Sequence, residues 1–297
     1  MFLGSIVALV VAIAVWRAMH IRRLTALSMN RRTLGPDGIV IGGNGFVLER
    51  ANAPAVLLLH GAGDTPQTLR YLAEDLYAHG FHISAPLLPG HGRRIDDFAR
   101  VTANELLDAS RTHYRELTAT HSWVAVIGLS MGGALAVTLA AESPEMPALA
   151  LIAPYLQMPP KVERAAELSW AWGWLTPVVA SSEGLSILNP DEAKRNLAYG
   201  IFTVGALRAL HSVVRRATAS LSSVVVPTLI VQSRTDNRID PSVAERSFAQ
   251  VPARDKRLEW ITGAAHVITV DYGHEHVIAL TSDWMLRHAP AHFEALN

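Results

Sequence analysis

The sequence predicts an α/β protein, a mostly parallel central sheet with helices on both faces and a small helical insertion over one edge. Three observations lead there. From residue 55 onward, apolar runs of strand length alternate with helical stretches, the pattern of βαβ units. Val124-Ala-Val-Ile-Gly-Leu-Ser130-Met-Gly-Gly-Ala-Leu passes from a buried strand through Gly-x-Ser-x-Gly into a helix-forming run with no linker. The alternation breaks down between Tyr155 and about Ser223 and then resumes, which marks an insertion between two sheet strands, at the edge where open α/β sheets bind ligands.

Composition narrows the chemistry. A chain of 297 residues, 50% of them hydrophobic, can bury one sizeable core. Its 26 basic and 26 acidic residues balance, so nothing draws the folded part toward nucleic acid. With no Cys there is no disulfide, no thiolate metal site and no cysteine nucleophile.

The first element differs in kind. Residues 2–16 are uncharged and almost entirely apolar, and the run reaches Met19 if Arg17 turns its guanidinium toward headgroups. That is the lower edge of a spanning helix, which needs about 20 residues. Arg17, Arg22, Arg23, Arg31 and Arg32 all follow it. The expectation is a single-pass membrane anchor over residues 1–23, with everything after it on the cytoplasmic side. Export through a signal peptide is the alternative, although its positive charge should precede the apolar core.

Residues 24–49 read as a linker with lead-in strands, carrying Gly35-Pro36-Asp37-Gly38 and Gly42-Gly43-Asn44-Gly45 as turns and a hairpin between residues 39–41 and 46–48. Residues 50–154 form the first part of the core. Its strands are 55–59, 81–85, the run ending at Ser130, and 148–153; the helix at 104–117 leads into the third. Residues 155–223 form the cap insertion, in which Trp170, Trp172 and Trp174 suggest a packed cap core or a lid over an apolar pocket. Residues 224–297 complete the core, with strands 227–231 and 257–261 and helices 243–250 and 277–286.

Gly128 and Gly132 leave no Cβ beside the turn, so Ser130 can sit in a strained conformation with its hydroxyl raised above the sheet. A lone serine hydroxyl is a poor nucleophile at neutral pH and needs a histidine base, itself oriented by a carboxylate. In α/β-hydrolases, which this strand-turn-helix resembles, the chain order is Ser, Asp or Glu, then His. Asp236 follows strand 227–231 by a short polar turn, and His266 follows the next strand after Thr262-Gly-Ala-Ala265. His274, His276 and His288 compete as the base. Asp240 competes as the acid, though its place before Pro241 suits a helix cap or turn. Two backbone amides must face the developing oxyanion: Met131, after the nucleophile, and Ala62, in the His60-Gly61-Ala62-Gly63 loop. His91 reads as a residue that fixes its own loop.

Taken together, Leu57-Leu-Leu-His60-Gly-Ala-Gly63, Pro89-Gly-His-Gly92, Gly128-Leu-Ser-Met-Gly-Gly133, the Asp236 turn and Gly263-Ala-Ala-His266-Val-Ile-Thr-Val-Asp271 resemble the α/β-hydrolase superfamily, and within it the bacterial carboxylesterase and monoacylglycerol lipase group. The resemblance covers about residues 50–290. It implies the α/β-hydrolase fold and hydrolysis of a small acyl ester or lipid through an acyl-serine. Ser130, Asp236 and His266 would be the catalytic residues, and the cap would shape an acyl or glycerol pocket. It implies no metal or organic cofactor. Ala62 stands where that group often carries a bulky residue, which would widen the pocket. Thioesterase, acyltransferase and amidase activities share the triad chemistry. A membrane-tethered binding protein on a degenerate hydrolase fold is the alternative from another class.

Overall fold

The computed structural model describes residues 2–30, 32–180, 186–291 and 293; Arg31 and residues 181–185 of the insertion lie outside them. In chain order, a long helix α1 (Phe2–Met29) precedes the short strand β1 (Phe46–Leu48). The first part of the core then runs β2 (Ala55–Leu59), α2 (Arg70–Ala78), β3 (His82–Ala85), α3 (Ile95–Arg100), α4 (Ala103–Thr118), β4 (Val124–Leu129), α5 (Met131–Glu142) and β5 (Leu149–Ile152). The insertion contributes α6 (Pro160–Glu167), α7 (Ser169–Trp172), β6 (Val178–Ala180), α8 (Pro190–Arg195), β7 (Ile201–Thr203) and α9 (Val204–Ser220). The core resumes with β8 (Thr228–Ser233), α10 (Ser242–Gln250), β9 (Lys256–Ile261) and α11 (His274–His288).

Seven strands form one sheet in the order β1-β3-β2-β4-β5-β8-β9. Only β1 is antiparallel; every other pairing is parallel. Parallel strands are covered on both faces and so lack polar alternation. Accordingly β2, β4, β5 and β8 are buried at every position. Their successive residues feed two cores. Leu57, Leu59, Val126 and Leu151 face the layer of α4, α5 and α9, whereas Val56, Leu58, Ile127 and Ile152 face that of α2 and α11. Each buried Leu, Ile or Val contributes about 1.5–3 kcal/mol by leaving water, which makes the strand run 55–59 a strong local anchor.

Cap chemistry sets the ends of the helices around this sheet. At α4, Thr102 accepts from the Glu105 amide while the Glu105 carboxylate accepts from the Thr102 amide, a reciprocal capping box. Thr203 ends β7 and caps α9, its hydroxyl accepting from the Ala206 amide.

Three expectations change. Residues 39–41 and 46–48 do not form a hairpin with each other. Phe46–Leu48 pairs with β3, and Val40 bridges Leu34, so the Gly42–Gly45 turn delivers β1 to the sheet edge. The insertion is mostly helical but also holds a two-stranded antiparallel ribbon, β6 with β7. Trp170 and Trp174 stand exposed on that insertion and so do not join a packed cap core.

A further correction concerns the start of the chain. Among the described residues no helix is long and apolar enough to cross a membrane, which overturns the anchor expected over residues 1–23 and the localisation inferred from it. The uncharged run stops at Arg17, short of a span, and the helix continues through Arg22 and Arg23 without a break. Its second half packs on β6 and β7. Arg17 Nε donates to the Trp174 carbonyl at 2.7 Å, and the buried Ser28 hydroxyl donates to the Tyr199 carbonyl at 2.7 Å. Just beyond the helix, Arg32 Nε donates to the Leu197 carbonyl at 2.8 Å.

Candidate functional site

Ser130 sits between β4 and α5 with φ 56° and ψ −116°. A side chain adopts that conformation only when its surroundings hold it there. Here the Ser130 amide donates to the Ile152 carbonyl at 3.0 Å, and its carbonyl accepts from the Tyr155 and Ala134 amides. The turn closes so tightly that a Cβ on Gly132 would fall on the Leu59 carbonyl, and one on Gly128 would fall on Gly132 itself. Gly133 passes close to Pro154 for the same reason.

The turn after β8 and the loop after β9 bring two more side chains to this point. Ser130 Oγ lies 2.8 Å from His266 Nε2, and His266 Nδ1 lies 2.8 Å from Asp236 Oδ2. Asp236 also accepts from Gln232 Nε2 on Oδ2, and from the Arg238 and Ile239 amides on Oδ1. Burial pushes its carboxyl up, but the adjacent His266 and these hydrogen bonds outweigh burial and hold it below the ordinary carboxylate value. An ionised Asp236 can only accept, so Nδ1 carries the imidazole proton and Nε2 is left bare to accept from the Ser130 hydroxyl. Ser130 and His266 are 8% and 6% exposed, so the pair is nearly sealed from water.

The loop after β2 runs alongside. Gly61 lies against the Ser130 side chain, and Gly63, at φ 69°, turns the chain away again. His60 is wholly buried: its Nδ1 donates to the Gly61 carbonyl at 2.9 Å, and its Nε2 accepts from the Leu88 amide at 3.0 Å. Burial drives its pKa down to about 3, so the ring stays neutral and clamps the segment that presents Ala62. On the opposite side, Met131 opens α5, where the first helical amides have no partner within the helix. The Ala62 amide likewise has no hydrogen-bond acceptor among the described residues.

Residues 50–272 match the family described as serine aminopeptidase, S33. The chain belongs to this family of α/β-hydrolases. The hydrolase is 29% identical over 252 residues to the thermostable monoacylglycerol lipase of Bacillus sp. (strain H-257), a match that spans 84% of this chain and 97% of the relative. It is 26% identical over 219 residues to the carboxylesterase of Bacillus subtilis (strain 168), across 73% and 86% of the two chains. A solved structure from work on LipS and LipT, two metagenome-derived lipolytic enzymes, superposes with a TM-score of 0.77 at 26% identity, covering 86% of this chain and all of the other.

Of the rival residues of this hydrolase, His276 stands exposed on α11 and the others are engaged elsewhere. His274 Nδ1 donates to the Asp271 carbonyl and its ring stacks on Tyr71; His288 pairs with the Trp284 carbonyl and Asp255. Asp240 is exposed and accepts from the Ser242 amide and hydroxyl, a turn contact at the start of α10. His91 is buried, with Nδ1 on the Pro89 carbonyl and its ring edge-on to His60 and Phe98, and burial lowers its pKa to about 4. That suits the loop-fixing reading.

Residues not singled out in the sequence also shape the site. Asp64 is buried in the β2 loop, where it accepts from the Thr65 amide and the Thr68 hydroxyl, and burial raises its carboxyl to about 6. Tyr199, from the insertion, donates its amide to the Gly63 carbonyl at 2.9 Å, and its hydroxyl bonds the Arg93 amide and carbonyl. Asp64 follows the His60-Gly61-Ala62-Gly63 turn directly, its one signal in the sequence, and Tyr199 is a lone polar-tipped ring in an apolar stretch. On the cap, Glu163, Glu167 and His211 place three potential metal-ligand atoms within 4.8 Å of one another, apart from the Ser130 constellation.

Proposed function

We propose that this hydrolase cleaves carboxylic esters, monoacylglycerols or similar acyl esters, through an acyl-serine intermediate on Ser130. The supporting observation is the unbroken relay from Ser130 Oγ through His266 to Asp236, two contacts of 2.8 Å joining residues 136 and 30 positions apart. The Bacillus relatives, a monoacylglycerol lipase and a carboxylesterase, point to the same substrate class.

The steps follow from the geometry. His266 Nε2 takes the Ser130 proton as Oγ attacks the ester carbonyl, and Asp236 steadies the imidazolium that results. The carbonyl oxygen, now negative, is received by the Ala62 and Met131 amides, the second aided by the positive end of α5. Collapse expels the alcohol, which leaves with the proton from Nε2. Water then repeats the sequence, giving its proton to Nε2 and its oxygen to the acyl carbon, and the acid departs as Ser130 recovers its hydrogen. The nearly dry surroundings of Ser130 strengthen each of these electrostatic contacts.

Because the family description names an aminopeptidase, amide cleavage is the second reading. One series separates the two: glycerol and nitrophenyl esters of increasing chain length, thioesters and aminoacyl anilides, each run with a Ser130→Ala control. Ester turnover should dominate and fall by roughly 10,000-fold or more in the control. Faster anilide than ester turnover, or a wild-type enzyme that ignores a fluorophosphonate probe, would remove the ester reading.

A further inference from the structure

The loop that starts at His266 ends at Asp271, a carboxylate with no exposed surface. Four backbone amides converge on it. The Leu188 amide lies 2.9 Å from both oxygens, the Asn189 and Tyr272 amides reach Oδ1 at 2.8 and 2.9 Å, and the Ala265 amide reaches Oδ2 at 2.7 Å. Every neighbour donates and Asp271 only accepts, as a carboxylate does. The donors come from two separate places. Ala265 immediately precedes His266, whereas Leu188 and Asn189 lie where the cap returns toward α8.

A second set of contacts joins the same two segments. The Ser186 carbonyl accepts from the His266 and Val267 amides at 3.1 and 2.9 Å. The Ser186 hydroxyl accepts from Arg238 Nε at 2.7 Å, and the Arg238 amide is one of those that hold the Asp236 carboxylate. Residues 186–189 therefore lie as a splint along both the histidine loop and the aspartate turn, and Asp271 is the group that fastens the splint to the residue before His266.

We infer that Asp271 is a positioning residue for the reaction: it sets the backbone on which His266 is mounted and makes the cap's return segment part of that mount. The inference rests on His266 being the base. A neutral side chain of the same shape cannot replace the carboxylate, because Asn would turn an amide donor toward amide donors and keep a single accepting oxygen. The histidine loop would then settle elsewhere. Displacement of a catalytic group by about 1 Å costs on the order of 100-fold in rate.

The test is Asp271→Asn, with kcat and KM measured per titrated active site on a nitrophenyl acetate and on a long-chain ester. We expect kcat to fall about 100-fold on both esters with KM little changed, since the effect acts through His266 and not through the acyl pocket. Leu188→Pro is the companion variant. It keeps the buried carboxylate, removes the one amide that reaches both oxygens, and changes a side chain that is half exposed. It should show a smaller loss of the same kind, and it carries the test if Asp271→Asn does not fold. Ser282→Ala, which loses a half-buried bond to Asp75 on the α11 side, controls for lost stability and should keep wild-type kcat per site. Wild-type kcat per site in whichever of Asp271→Asn and Leu188→Pro folds, or a change confined to KM on the long ester, overturns the inference. A wild-type enzyme that fails to react with the fluorophosphonate probe overturns the Ser130 reading instead, so the two failures are distinguishable.

Discussion

Comparing Ser130→Gly with Ser130→Ala measures how much backbone strain the fold stores at Ser130. Both variants lose the hydroxyl and leave His266 Nε2 without its partner, so the difference between them isolates the main chain. At φ 56° and ψ −116°, the first central position of a type II′ turn, a residue with a Cβ carries about 1–3 kcal/mol of strain that glycine escapes. Glycine loses about 0.5–1 kcal/mol relative to alanine through the extra freedom of its unfolded chain. Removing one buried carbon costs up to about 0.8 kcal/mol more. Taking the middle of each range leaves Ser130→Gly more stable by about 1 kcal/mol, a gap of about 2 °C in Tm for a chain of this size. At an ordinary helical position the same exchange has the opposite sign and about the same size. Urea unfolding followed by tryptophan fluorescence, with both variants showing the same m-value, reads the difference directly. An alanine variant as stable as the glycine variant, or more so, would mean that the turn is not strained.

Three further outcomes are expected. Gly132→Ala should cost more than 2 kcal/mol or prevent folding, because its Cβ would meet the Leu59 and His60 carbonyls and main chain cannot give way as a side chain does; near-wild-type stability would contradict the packing. Acid should weaken the fold below pH 6.5. His60 and His91 have native pKa values near 3 and 4 against about 6.5 unfolded, so between those limits the unfolded chain binds more protons, and the stability present above pH 6.5 drains away as pH falls. Asp64, raised to about 6, works the other way: its contribution is complete below the unfolded value of 3.8 and is lost as pH rises through 6. Between pH 4 and 6 the net is about one proton, or about 1.4 kcal/mol per pH unit, and Asp64→Asn should steepen that slope; unfolding free energies that stay flat from pH 7 to 5 would count against both assignments. Finally, Ser28→Ala should cost about 1 kcal/mol by stripping the Tyr199 carbonyl of its donor, whereas an unchanged Tm would show that α1 is not held there.

Much of the site was legible because its demands are steric and local. The glycines at 128 and 132 announce a turn that nothing larger can enter, and the apolar runs at 55–59, 124–129 and 227–231 have the length and continuity of strands buried on both sides. Asp236 and His266 could be ranked over Asp240 and His274 because each follows a sheet strand by a few small or polar residues. The β6–β7 ribbon was not legible: two three-residue strands of mixed exposure carry no periodicity to detect. Nor was the work of Asp271 or Ser28, since both bond to main-chain groups far along the chain, and peptide amides and carbonyls look the same beside every residue. The apolar start misled for a related reason. Hydropathy weighs the side chains of residues 2–16 but says nothing of the carbonyls that receive Arg17 and Ser28.

That last arrangement bears on how the protein is prepared for study. A leading helix of this composition invites removal to simplify expression, yet here Ser28 grips the residue whose own amide steadies Gly63, two positions from the Gly61 that rests on Ser130. A shortened version would lose an outer brace and loosen, by way of Tyr199, the loop that lies against Ser130. Its turnover number would describe a different catalyst from the intact chain.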